Sequence, residues 1–182
     1  MEHEKEDYNS NMAFNNRQRN QNQTPQTPSE FVENVIQINR VSKKTTGGNK
    51  IGFAVLAVVG NKKGKVGVGH ATAADVASSI RKAVTAAKKH FIEVPLVKGT
   101  IPFEVRVKRG AAKVMLKPAP KGSGIIAGGA VRSVVSAAGV ENISSKVLGT
   151  DNKASNVYAT IEALKQLAYM QRKFSAKAQL KK

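Results

Sequence analysis

The sequence contains no cysteine and no tryptophan, and its aromatic residues number only six Phe and three Tyr. Without thiols the chain can form no disulfide, thiolate nucleophile or zinc–thiolate site, which leaves the compartment open. Few aromatics mean few large core side chains and few platforms on which bases could stack. No apolar run approaches the ~18 residues that a membrane helix requires. The first 15 residues mix Glu, Lys, Asp and Asn with no apolar stretch, so no secretory signal is visible. Acidic residues are scarce as well: 12 Asp plus Glu face 30 Lys plus Arg in 182 residues, for a net charge of +18. Hydrophobic residues, at 41%, suffice for one compact domain or two small ones. The expectation is a soluble cytoplasmic protein with an anionic partner and no membrane association.

The charge is concentrated in one part of the chain. Residues 1–30 hold three basic and five acidic side chains, whereas residues 31–182 hold 27 basic against 7 acidic, or +20. Half of residues 9–28 are Asn or Gln, a composition that cannot bury enough apolar area to offset the entropy of ordering it. Residues 1–30 therefore read as a disordered arm. A body at +20 repels itself, and nucleic acid is the commonest polyanion to relieve that repulsion. Lys outnumbers Arg 22 to 8, so most of the charge arrives as mobile points suited to phosphate rather than to base edges.

Residues 35–41 are β-branched and partly alternating, and read as a strand. Residues 42–50 are polar, basic and glycine-containing, hence a mobile loop. Residues 51–59 are apolar on both parities, as in a buried strand, and residues 65–69 pair back after a basic turn at 61–64 with its tip in solution. A helix follows, capped by Thr72 with Asp75 three residues on, and with a stripe of Ala77, Ile80, Val84, Ala87 and Phe91. A second unit begins near Val94. Residues 100–107 and 113–117 read as strands, residues 129–138 as a helix, 143–148 as a strand and 156–169 as a helix striped by Val157, Ile161, Leu164 and Ala168. Residues 171–182 read as a frayed basic tail.

Chemistry-bearing clusters are few. His3, His70 and His90 are isolated, with no ligand spacing, and the seven body acids lie far apart, so neither a metal centre nor paired acid–base catalysis is expected. The segment Lys121-Gly122-Ser123-Gly124-Ile125-Ile126-Ala127-Gly128-Gly129 is sharper. Small residues entering a helix N-terminus offer backbone N–H groups to an anion, and Lys117, Lys121 and Arg132 flank them. A small-molecule kinase could hold nucleotide phosphates on such a loop, the alternative function. Equally, the glycines could serve only a tight turn and close packing. The cluster Ser42, Lys43, Lys44 and Lys50 and the tip Lys62, Lys63 and Lys65 resemble the basic loops by which double-stranded RNA modules reach phosphates across grooves.

In order along the chain, Asn39-Arg40-Val41-Ser42-Lys43, Gly47-Gly48, Val58-Val59-Gly60, Lys65-Val66-Gly67-Val68-Gly69 and the glycine segment at 122–129 resemble the bacterial small-ribosomal-subunit protein five family, over about residues 31–167. The resemblance implies an α+β fold: a double-stranded-RNA-binding-like domain over 31–93, then a C-terminal α/β domain over 94–170 of the type named after domain two of that family. Small-molecule kinases share that second fold, which explains the kinase-like loop without implying an enzyme. It further implies a structural constituent of the small ribosomal subunit, with no cofactor and no homo-oligomer. The implied partners are small-subunit ribosomal RNA, ribosomal proteins four and eight, and messenger RNA where it enters. The implied roles are subunit assembly and decoding accuracy. Arg40, Ser42, Lys43, Lys44, Gly47, Gly48, Lys50, Lys62, Lys63, Lys65, Lys117, Lys121, Gly122, Ser123, Gly124 and Arg132 are the expected RNA contacts. Lys108, Arg109 and Lys113 are the expected protein contacts. Where the family has basic residues around the Gly-Gly pair, this chain has Thr46 and Asn49, with Lys50 next. Near Tyr158, another position where the family is often basic, no RNA contact is assigned.

Overall fold

A computed structural model describes residues 30–179, with side chains through 174. The expected arm thus lies outside the described residues except for Glu30, as do residues 180–182. The described residues from Phe31 onward form one compact unit, and it is α+β as expected.

Strands β1 (Val32–Thr45), β2 (Gly48–Gly60), β3 (Lys65–Ala73) and β4 (Phe91–Glu93) form an antiparallel sheet in that order, with helix α1 (Val76–Lys89) between β3 and β4. The two-sided apolar run in β2 has a clear cause. Val55, Ala57 and Val59 pack against Ala83, Val84 and Ala87 of α1. Leu56 and Val58 face the other way, into a larger core. A bulge between Val35 and Gln37 in β1 accompanies the turning of Ile36 toward that second core.

Helix α1 starts later than expected. Asp75, with extended backbone, is its N-cap and accepts from the Ser78 N–H at 3.2 Å. Ala77 is exposed and Phe91 belongs to β4, while Ser79, Ala83, Val84 and Ala87 form the buried face. Their small size lets the helix backbone reach the sheet. A Cβ at Gly67 would overlap the Ala87 carbonyl, and one at Gly69 would overlap the Ala83 carbonyl. The Ser79 hydroxyl uses the same closeness, donating to the Phe53 carbonyl at 2.8 Å.

The C-terminal part comprises β5 (Val105–Arg109), β6 (Ala112–Pro118), β7 (Ile125–Ile126), α2 (Gly129–Ala138), β8 (Ile143–Val147) and α3 (Lys153–Gln179). Its sheet runs β5-β6-β8-β7, parallel only between β7 and β8, which α2 connects as a crossover. The strand expected from residue 100 begins at Val105 because Pro102 interrupts the run. The expected frayed tail is instead helical through Gln179. Helix α3 starts at Lys153, three residues before the expected position, with Asn152 Oδ1 accepting from the Ala154 N–H at 3.0 Å. Helices α2 and α3 lie between the two sheets, so Leu56 and Val66 of the first share one core with Val114 and Leu116 of the second.

The contact of β3 with α1 makes a testable demand. Gly69→Ala should destabilise the protein by about 1–3 kcal/mol, because the new methyl meets backbone rather than a yielding side chain. Gly47→Ala, with nothing within 4 Å of its Cβ, should shift the urea midpoint by less than about 0.5 kcal/mol equivalent. Equal midpoints for the two variants would refute the close approach.

Candidate nucleic-acid interface

The far ends of β1 and β2 leave the sheet as a two-stranded ribbon, exposed at every residue from 38 to 51. The segment expected to be a mobile loop is regular ladder: Ser42 pairs with Ile51, Lys43 with Lys50, Lys44 with Asn49 and Thr45 with Gly48. Only Thr46 and Gly47 form the turn. Gly48 takes a positive φ of 124°, and the Thr45 hydroxyl donates to its carbonyl at 2.8 Å. The local sequence signal for this hairpin, which the loop reading missed, is the Gly47-Gly48 pair after Thr45 and Thr46.

Strand alternation distributes the cations over both ribbon faces. Arg40, Ser42 and Lys44 share one face, and the cross-strand pair Lys43 and Lys50 occupies the other. Directly opposed side chains in an antiparallel pair hold their Cβ atoms ~5 Å apart, so two ammonium groups there repel. Nothing in the neighbouring sequence relieves this, since no Asp or Glu occurs between Glu33 and Asp75. Among the described residues, no carboxylate comes within ion-pair distance of Arg40, Lys43, Lys44 or Lys50.

The β2–β3 tip is not free in solution, contrary to expectation. The Lys62 N–H donates to the Ala137 carbonyl at 3.0 Å and the Gly64 N–H to Ala138 at 2.8 Å, so the turn satisfies the end of α2. Asn61 Oδ1 holds the turn from inside, accepting from the Lys63 and Lys65 N–H groups at 2.8 and 2.9 Å. The side chains of Lys62 and Lys63 remain exposed, and Lys65 lies 3.7 Å from Glu93.

The glycine segment is organised differently from a phosphate cradle. Positive φ at Gly122 (93°) and Gly124 (67°) curls the chain until both N–H groups converge on one acceptor, Asn142 Oδ1, at 2.9 and 3.2 Å. The concavity that could take an anion is thus filled by the protein's own amide. Arg132 Nη2 donates to the Ile125 carbonyl at 3.3 Å, and Lys117 pairs with Glu104 at 3.5 Å on the outer face of the second sheet. Lys121 alone of the three flanking cations is left at the exposed loop. Asn142 lies 18 and 20 residues beyond the glycines it serves, too far for a local motif to reveal.

The expected protein contacts divide. Lys108 and Lys113 are cross-strand partners on the exposed face of the second sheet, where Arg106 and Lys146 flank Met115 in the ladder. Arg109 points the other way and stands over the Tyr158 ring, 4.7 Å from its centroid. Among the described residues no group of three His, Asp or Glu side chains could hold a metal ion, and no helix is long and apolar enough to cross a membrane.

Residues 31–95 match the family model described as ribosomal protein S5, N-terminal domain, and residues 107–178 match ribosomal protein S5, C-terminal domain. The chain belongs to the ribosomal protein S5 family. The small ribosomal subunit protein uS5 of Thermotoga neapolitana is 53% identical over 138 residues, covering 76% of this chain and 78% of that protein. Its counterpart in Thermotoga maritima is 52% identical over the same span. The S5 family is structural and non-enzymatic.

The opposed lysines give a test independent of any partner. Lys50→Glu should convert repulsion into attraction, gain about 0.2–1 kcal/mol within the ribbon and slow amide exchange across residues 41–52. Unchanged exchange would show that the like-charge cost is absent.

Proposed function

We propose that the β1–β2 ribbon is the principal ribosomal RNA contact of this chain. The chain is a structural constituent of the small ribosomal subunit, not an enzyme, as befits an S5-family member. The carrying observation is the ribbon itself: exposed, basic on both faces and, among the described residues, without an ion-pairing carboxylate. A free protein gains nothing from opposed lysines, whereas a polyphosphate strand on either side offsets their repulsion and releases its condensed counterions.

Arg40, Lys43, Lys44 and Lys50 supply the charge, and the two-residue turn at Thr46 and Gly47 keeps the tip thin enough to enter between RNA strands. The exposed ammonium groups of Lys62, Lys63 and Lys65, with Lys121 at the second loop, extend the basic surface. On this reading the ribosome in the cytoplasm is where the protein works. Domains over 31–93 and 94–170 share a core, and Lys108 and Lys113 face a neighbouring protein. Contacts with ribosomal proteins four and eight, a place near the channel by which messenger RNA enters, and roles in assembly and decoding accuracy belong to the same proposal. Nucleotide binding at the glycine segment does not, because the amides it needs are engaged by Asn142.

Lys43→Ala with Lys44→Ala should weaken binding to small-subunit ribosomal RNA and flatten the log K against log [salt] slope by roughly 1.4–1.8, two contacts' worth. An unchanged slope would remove the ribbon from the interface. Sedimentation of a native lysate tests the assignment at a larger scale: the chain should travel with the small subunit through a high-salt wash.

A further inference from the structure

Two cavities line the flank of α3 and share Lys165. One, of about 440 Å³, lies among His70 of β3, His90 after α1, Arg109, Tyr158 and Lys165. The other, of about 560 Å³, lies among Phe31, Lys65, Phe91, Lys165, Tyr169 and Arg172. Together they form a groove along α3 from Tyr158 to Arg172, about 21 Å at 1.5 Å per residue. The basic ribbon contributes nothing to this groove.

We propose that this groove is a second RNA site, one that takes a single strand. The inference rests on the RNA-binding reading above and extends it to a different RNA form. Cationic side chains recur along the groove at Arg109, Lys165, Arg172 and Lys65, against one lining carboxylate, Glu93. Aromatic rings lie among them, in a chain with few aromatic residues. Arg109 stands 4.7 Å from the Tyr158 centroid and Lys173 stands 4.9 Å from that of Tyr169, while Phe91 stacks on Phe31 at 5.1 Å. Tyr169 is 59% exposed, so its ring is accessible to a base.

Phosphate-binding cations beside ring faces are the means by which proteins track a single strand, backbone on the charges and bases on the rings. A duplex keeps its bases stacked inside and could present only phosphate here, leaving the rings uncovered. β3 adds backbone to the site. β4 pairs with it only at Lys65, Val66 and Gly67, so from Val68 onward that edge faces the groove without a described neighbouring strand. An acidic protein segment would match the cations and could pair with the free strand edge, but would not make use of the ring faces beside the cations.

The test uses the full chain, with fluorescence anisotropy of two labelled probes: a mixed-sequence single-stranded RNA of about 10 nucleotides and an RNA duplex of about 16 base pairs. Lys165→Ala with Arg172→Ala should cut single-strand affinity at least tenfold and flatten its salt slope by about 1.4, while leaving duplex affinity unchanged. Tyr169→Ala, at an exposed position, should cut single-strand affinity at least fivefold with an unaltered unfolding midpoint. Lys43→Ala with Lys44→Ala should do the reverse, losing duplex and keeping single strand. Groove variants that bind the single strand normally would overturn the inference. If such variants also failed to enter reconstituted subunits, the groove would belong to a protein partner. Equal loss of both probes would overturn it by showing one shared surface. A parent chain that binds duplex but no single strand would overturn it and leave the ribbon reading standing. A parent chain that binds neither would overturn both.

Discussion

The backbone of the β2–β3 turn donates to the last carbonyls of α2, from Lys62 to Ala137 and from Gly64 to Ala138. These bonds require near-contact of two backbones, and glycines on each side permit it. A Cβ at Gly60 would overlap the Ala137 carbonyl, and one at Gly139 would overlap the Lys62 carbonyl. Gly139 also ends α2 in the left-handed conformation, so the residue that stops the helix is the one that admits the turn. With this end of the first sheet pinned, its inner face is committed to α2 and α3 and its outer face to α1. The ladder of β1 and β2 is longer than the core that covers it. The surplus length can only project, and it projects as the basic ribbon.

That geometry separates the roles of the lysines, which composition alone could not. Lys62 holds a positive φ of 54° at the C-terminal end of α2, where a cation also favours the helix dipole. Lys117 faces Glu104, and Lys88 faces Glu33 at 2.9 Å. These exposed pairs contribute little stability individually, yet they mark positions where charge is balanced within the fold. Among the described residues the ribbon lysines have no such balance. The glycine segment shows the same distinction in its amides: the donors that could have served phosphate are satisfied internally by Asn142, so that loop is scaffold.

Most of the fold was legible where side-chain periodicity controlled it. The doubly apolar run of β2, the small-residue helix α1 and the α2 segment from Gly129 to Ala138 each follow from which faces are buried. What escaped the sequence was decided by contacts between distant residues. The ribbon read as a loop because its polar residues have no buried face, and its order comes from backbone pairing and a two-residue turn instead. The tip read as free because its partner carbonyls lie more than seventy residues downstream. Arg109 read as a companion of Lys108 because they are adjacent, whereas strand alternation sends them to opposite faces.

The distribution of carboxylates then explains why the ribbon is built from strand rather than from an unstructured basic loop. A flexible segment with four cations would spread them apart and would lose that freedom on binding, at a cost in conformational entropy. Pairing Lys43 with Lys50 in a ladder imposes the repulsion in the free protein. Ordering and charge crowding are thus already present in the free chain, and on the proposed reading RNA binding would relieve the second without having to supply the first. The small turn and the absence of acids from residues 34–74 serve the same end. On the proposed reading, the like-charge cost of the ribbon becomes an advantage beside phosphate.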